Sequence, residues 1–235
     1  MLIGLMGLAG VGKSTAAKIL AQEYGFIPLS FADSLKDGVA AFFGWPRNLL
    51  EGDTITSRQF RETPDEYWSK LFNKPITPRW ALQYVGTELF RNRVMDDFWV
   101  AAVGKKLKDP TNSYVLSDVR FVNEIDFIKK NNGFVVEIVG ATIPEWVNKM
   151  KNVGFGEYNE YAAYAAGLGI HPSEWTHVMW RSKNPIDYLL HNAYDEPSEA
   201  SMTNLTASIQ HMMRVFSGPI DDKPVKNEKI AMEMV

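Results

Sequence analysis

Apolar residues fall along this chain in short runs, separated by stretches whose apolar positions recur at helical spacing. Five runs read as buried strands, at 2–6, 27–31, 114–117, 134–139 and 187–191. Between them the spacing predicts helices over 14–24, 35–43, 79–93, 97–107, 121–131 and 201–216, with Gly133 as the C-cap of the helix at 121–131. Strand and helix alternate, which argues for βαβ units and an α/β protein with a central parallel sheet of about five strands. Two stretches do not fit that minimal pattern. Residues 45–78 are rich in charge, proline and aromatics, and residues 141–184 carry Gly154, Gly156, Gly167 and Gly169, so both are expected to be insertions. From Gly218 onward the chain has Pro219, Pro224 and mixed charges, and 218–235 reads as a loosely held tail. The rest, 1–217, is expected to be one domain.

Composition narrows the classes of protein this can be. With 235 residues, 46% hydrophobic and 23% charged, the chain has the make-up of an ordinary globular domain. No run approaches the length of apolar sequence that crosses a bilayer, and the N-terminus lacks the charged start of a signal peptide, so a cytoplasmic protein is expected. The absence of cysteine excludes a disulfide framework and thiolate metal sites. Net charge is −3, and the only adjacent lysine pairs, Lys105-Lys106 and Lys129-Lys130, suit solvated helix faces. Binding to polymeric nucleic acid, which needs clustered basic side chains, is therefore not expected. A homodimer is left open.

The chemistry begins at the end of the first strand. Gly7-Leu8-Ala9-Gly10-Val11-Gly12-Lys13-Ser14-Thr15 fits G-x-x-x-x-G-K-[ST] without mismatch, in the strand–loop–helix context that this phosphate-binding motif needs. Backbone N–H groups of residues 9–15 can wrap phosphate oxygens, Lys13 can reach the β- and γ-phosphates, and the Ser14 hydroxyl can ligate Mg²⁺. The helix N-terminus adds partial positive charge. A second cluster, Ser117-Asp118-Val119-Arg120, ends the third strand. Ligands in open α/β sheets bind beyond the carboxyl ends of strands. There Asp118 can orient Mg²⁺ or an acceptor group and Arg120 can clamp phosphate. A third cluster places Arg79, Gln83 and Gly86 at helical spacing on one face, followed by Thr87 and later Trp99. A cation, an amide and a gap suit a nucleotide, and Trp99 could stack on a base.

Together with Phe31-Ala32-Asp33-Ser34-Leu35-Lys36, these clusters resemble the bacteriophage deoxynucleoside monophosphate kinases. The resemblance covers about residues 1–43, 79–140 and 170–216. It implies a P-loop NTPase fold, a three-layer sandwich carrying a monophosphate-binding arm at 45–78 and a lid at 141–184. It also implies transfer of the γ-phosphoryl of ATP to a deoxynucleoside 5′-monophosphate, with Mg²⁺. Lys13, Asp118 and Arg120 are then expected to be catalytic, while Lys36, Arg79, Gln83, Gly86, Thr87, Trp99, Asp118, Arg120 and Glu174 bind substrate. Arg181 is the nearest candidate for a lid arginine, and His171 and Glu174 either serve the site or cap a helix after Pro172. The chain departs from the family at Ser14, where phage members can carry Asp. Animal-type phosphomevalonate kinase has a similar strand end and remains an alternative, as does a P-loop ATPase module. The latter usually carries adjacent acids at a strand end, which Ser117-Asp118-Val119-Arg120 lacks.

Overall fold

A computed structural model describes residues 1–152, 157–192 and 198–218. The expected tail therefore lies outside the described residues, apart from its first residue, as do Gly154 and Gly156 of the second insertion. The chain divides into two compact units: Met1–Leu29 with the chain from Leu107 on, and Ser30–Lys106.

The first unit is built on a five-stranded, all-parallel sheet in the order β2-β3-β1-β4-β5. Its strands are β1 (Leu2–Met6), β2 (Ile27–Leu29), β3 (Tyr114–Val119), β4 (Phe134–Val139) and β5 (Tyr188–His191). Side chains alternate across a strand. Ile3 and Leu5 of β1 therefore pack with Val136, Ile138 and Leu190 against Ile19 and Leu20 of α1 (Lys13–Tyr24) and Leu205, Ile209 and Met212 of the last helix, α11 (Glu199–Ser217). On the opposite face, Gly4 lies under Ile128 of α7 (Val122–Lys130). Helices on both faces of a parallel sheet, with a glycine loop after β1, give the P-loop NTPase α/β fold. After α7 the left-handed residue is Asn132 (φ 52), not Gly133. Gly133 N–H bonds back to Ile128 O at 2.8 Å, and a Cβ there would meet that carbonyl at 2.9 Å.

The stretch expected as a lid contains α8 (Glu145–Asn152), α9 (Tyr158–Gly167) and α10 (Pro172–Lys183). Val147, Met150, Tyr161, Ala165, Trp175 and Val178 form their own apolar cluster. His171 caps α10, its Nδ1 accepting the Ser173 N–H at 3.2 Å, and Pro172 follows in the first turn, where no N–H is needed.

The second unit is helical: α2 (Asp33–Phe43), a 3₁₀ turn (Arg47–Leu50), α3 (Ile55–Glu62), α4 (Glu66–Phe72), α5 (Pro78–Gln83) and α6 (Phe98–Gly104). Thr54, Asp65 and Thr77 supply side-chain N-caps for α3, α4 and α5. Trp45, Leu50 and Ile76, from the stretch expected as an inserted arm, pack with Val39, Ala81, Leu82 and Val85. That stretch is thus part of the core of its unit. The helix expected over 79–93 is two structures, α5 followed by a π-helix at Tyr84–Val94.

Candidate active site

The end of β1 opens into the glycine loop. Gly7, Gly10 and Gly12 adopt φ of 142°, 83° and 99°, and Gly12 is the N-cap of α1. Lys13 is buried, and its Nζ donates to Gly7 O at 2.8 Å and Leu8 O at 2.6 Å. Burial, and next the positive charge of Arg120, bring its pKa down to about 7, while Glu174 and Asp118 pull the other way. A lysine in this position gains most from an anion. Ser14 lies exposed in the first turn of α1 and Thr15 is half-buried beside it.

The β3 end lies next to this loop because β1 and β3 are paired, with Met6 opposite Val119. The chain turns at Arg120, and the turn is fixed by a residue the sequence reading passed over. Buried Glu124 accepts Arg120 N–H at 2.7 Å and Phe121 N–H at 3.1 Å through Oε2. Glu124 is the third residue of α7, where a capping carboxylate belongs, but the usual serine or threonine partner is replaced by Phe121, which hides the signature. From above, α10 closes on the turn. Thr176 Oγ1 donates to Arg120 O at 2.7 Å, and Arg120 Nη1 donates to Ser173 O at 3.0 Å and Glu174 Oε1 at 2.7 Å. Burial works against the Arg120 charge, but Glu174, Asp118 and Glu124 outweigh it and hold the guanidinium above its ordinary value. Lys13, Asp118, Arg120 and Glu174 are thus one charged cluster. Arg181 is turned to a different partner: its Nε donates to buried Glu137 Oε2 at 2.8 Å, with Lys151 at 4.0 Å from the same carboxylate.

His177, on α10, is a further member that the sequence reading missed. Burial, then Lys13, Arg120 and Lys151, lower its pKa to about 3, so it is neutral beside the cluster. This has a measurable consequence. Between its ordinary value of 6.5 and about 3, the unfolded chain binds a proton that the folded protein does not, so stability falls as pH falls through that window. His177→Phe is expected to flatten the stability–pH slope there by up to about 1.4 kcal/mol per pH unit, one proton's worth. Urea unfolding of both proteins at several pH values checks it, and parallel slopes count against it.

In the second unit, Lys36 Nζ donates to Glu51 Oε2 at 2.6 Å and Arg79 pairs with Glu62. Gln83 ends α5, half-exposed, while Gly86 and Thr87 are buried in the π-helix. The gap at Gly86 is occupied by Leu35, whose Cδ2 would lie 2.7 Å from a Cβ. Trp99 is buried, with its indole N–H on Gly86 O at 2.8 Å and its ring against Phe90 and Phe98. This gives Trp99 a different task from stacking on a base: it supports the backbone of the π-helix.

A phosphate loop and an arginine-bearing turn at neighbouring strand ends define a P-loop phosphotransferase. No protein-family model matches the chain. It is similar to an Acanthamoeba polyphaga mimivirus protein that carries the name deoxynucleotide monophosphate kinase, 40% identical over 151 residues, which are 59% of this chain and 73% of that protein. It is also similar to the deoxynucleoside-5′-monophosphate kinase of Escherichia phage T5, 28% identical over 183 residues, covering 56% of this chain and 73% of the phage enzyme. A looser likeness in fold, at 15% identity and a TM-score of 0.43, links it to dephospho-CoA kinase from Campylobacter jejuni over 92% of this chain and 98% of that one. The chain belongs to the deoxynucleoside monophosphate kinase family and is a phosphotransferase. Among the described residues no helix is long and apolar enough to cross a membrane.

Proposed function

We propose that this chain transfers the γ-phosphoryl of ATP to a 2′-deoxynucleoside 5′-monophosphate, supplying diphosphates for DNA precursors in the cytoplasm of a host cell. One observation carries the reading: Lys13, buried at the head of α1 on the carbonyls of Gly7 and Leu8, and Arg120, just past the end of β3, are close enough for the arginine to depress the lysine's charge. Two cations held together this way suit a polyphosphate, whose oxygens offset their repulsion. The donor groups also fit a magnesium nucleotide. Residues 9–15 offer backbone N–H groups at the start of α1, and the exposed Ser14 hydroxyl is available as a Mg²⁺ ligand. Mg²⁺, when bound, neutralises phosphate charge.

In this mechanism the bond between the β–γ bridging oxygen and the γ-phosphorus breaks as an oxygen of the acceptor's 5′-phosphate bonds to that phosphorus. Lys13 stabilises charge on the transferring group, and Arg120 holds phosphate through its fork of donors. Asp118, half-exposed at the end of β3, and Glu174 orient Arg120. In the second unit the assignment rests on the family resemblance: Lys36, Arg79, Gln83, Gly86 and Thr87 serve the acceptor, and Lys36 and Arg79 exchange Glu51 and Glu62 for phosphate. The closing of the segment at 141–184 over bound substrates belongs to the same proposal.

The test is a coupled ADP-release assay across ribo- and deoxynucleoside monophosphates, with phosphomevalonate as a further acceptor. Turnover is expected with deoxynucleotides. Turnover with phosphomevalonate alone, or ATP hydrolysis that no acceptor stimulates, overturns the reading. The net charge of −3 also supports a free nucleotide over a polymer, and saturable micromolar binding to labelled DNA at physiological salt would contradict that.

A further inference from the structure

We propose that Asn192 is a positioning residue that sets the Val11–Gly12 peptide of the phosphate loop for nucleotide binding; this rests on the reading of that loop as the ATP site. Asn192 follows the last residue of β5 and continues its ladder, its backbone N–H donating to Val139 O at 2.9 Å. Its side chain is buried, 6% exposed, and crosses from the edge of the sheet to the loop, where Nδ2 donates to Val11 O at 3.1 Å. Only the amide nitrogen can play this part, because a carbonyl oxygen needs a donor.

The consequence follows from peptide geometry. In a planar trans peptide the C=O and the next N–H point to opposite sides. With Val11 O held by Asn192, the Gly12 N–H is turned away from Asn192. That N–H is one of those the motif uses on phosphate oxygens. Loop peptides can flip when glycine follows, and Gly12, at φ 99°, has that freedom. The contact is close enough to exclude a side chain: a Cβ at Gly12 would sit 2.9 Å from Nδ2. Gly12 therefore answers to two demands, its left-handed backbone and the approach of Asn192. Nothing near position 192 in the sequence announces this, because the partner lies 181 residues away.

The test uses the full chain, with ATP affinity by calorimetry and KM for ATP and for the acceptor measured separately. Asn192→Ala is expected to weaken ATP binding by about tenfold, one buried hydrogen bond's worth, with the acceptor KM unchanged. Asn192→Asp separates positioning from bulk. Ionised, near pH 8, it has no donor and sets a negative charge against Val11 O, so it binds ATP more weakly than the alanine variant although it fills the same space as asparagine. A side chain that mattered only for its bulk would leave the aspartate variant close to wild type. An Asn192→Ala protein with wild-type ATP affinity, or an Asn192→Asp protein that binds ATP as tightly as wild type at pH 8, overturns the proposal. If alanine fails to fold, Asn192→Ser is measured in its place, with the aspartate variant judged against it. A wild type that binds ATP but phosphorylates no monophosphate sinks the functional reading alone and leaves this one standing or falling on affinity. A wild type that binds no nucleoside triphosphate overturns both.

Discussion

Lys13→Ala is expected to lower kcat by about three orders of magnitude while the protein stays folded. The reason is in the burial. Lys13 is held by Gly7 O and Leu8 O in a setting that brings its pKa to about 7, so the protein maintains a cation where it is costly to keep one. That arrangement is repaid when phosphate arrives, because the anion offsets the desolvation that depressed the charge. Transfer of a γ-phosphoryl group leans on charge stabilisation more than on covalent chemistry, so the loss appears mainly in the rate. For stability, two changes oppose one another. Alanine leaves two carbonyls without a donor, at about 1–3 kcal/mol each where they stay buried, and it removes a buried cation. Between pH 7 and 10.5 the folded protein has already released a proton that the unfolded chain keeps, so wild-type stability rises with pH across that window. The alanine variant should lose that rise. Steady-state kinetics and thermal melts on the same preparations decide the matter, and a folded variant with turnover near wild type ends the assignment of Lys13.

Much of the donor half of this site is legible in the sequence because it is local. Strand, glycine loop and helix follow one another within Leu2–Tyr24, and each step has its own signal. The turn after β3 is legible in its residues but not in its shape. The apolar run ends at Ser117, yet pairing with β1 carries the strand to Val119. What locks that turn, Glu124 below and Thr176 above, depends on a cap without its serine and on a helix more than fifty residues later. The second unit is harder to read. A π-helix from Tyr84 to Val94 widens the turn, so spacing counted in steps of three and four predicts the wrong neighbours. Trp99 shows the limit most plainly. A tryptophan after a helix can stack on a ligand or fill a core, and here the ring is buried against Phe90 and Phe98 with its N–H on Gly86 O.

Arg120→Ala should lower kcat by about two orders of magnitude, and Arg120→Lys should recover only part of the loss. Both hydrogen bonds from Arg120 to α10 leave from Nη1, to Ser173 O and Glu174 Oε1, so on the proposed reading phosphate meets the opposite edge of the fork, Nε and Nη2. Lysine keeps the charge but offers one ammonium in place of a planar pair of donors, so it can tether Glu174 or meet phosphate and not do both. A purely structural Arg120 makes a different forecast. If its only task were to pin α10 to the turn, alanine would cost stability and loosen α10, while Glu174→Gln, which also weakens that pin, would cost as much activity. On the catalytic reading Glu174→Gln is the milder change, within about tenfold, because the guanidinium keeps Ser173 O and its charge. Kinetics of the three variants beside their melting curves separate the two. Equal losses of kcat in Arg120→Ala and Glu174→Gln, tracking equal losses of stability, would remove Arg120 from the transition state and leave it as a brace between β3 and α10.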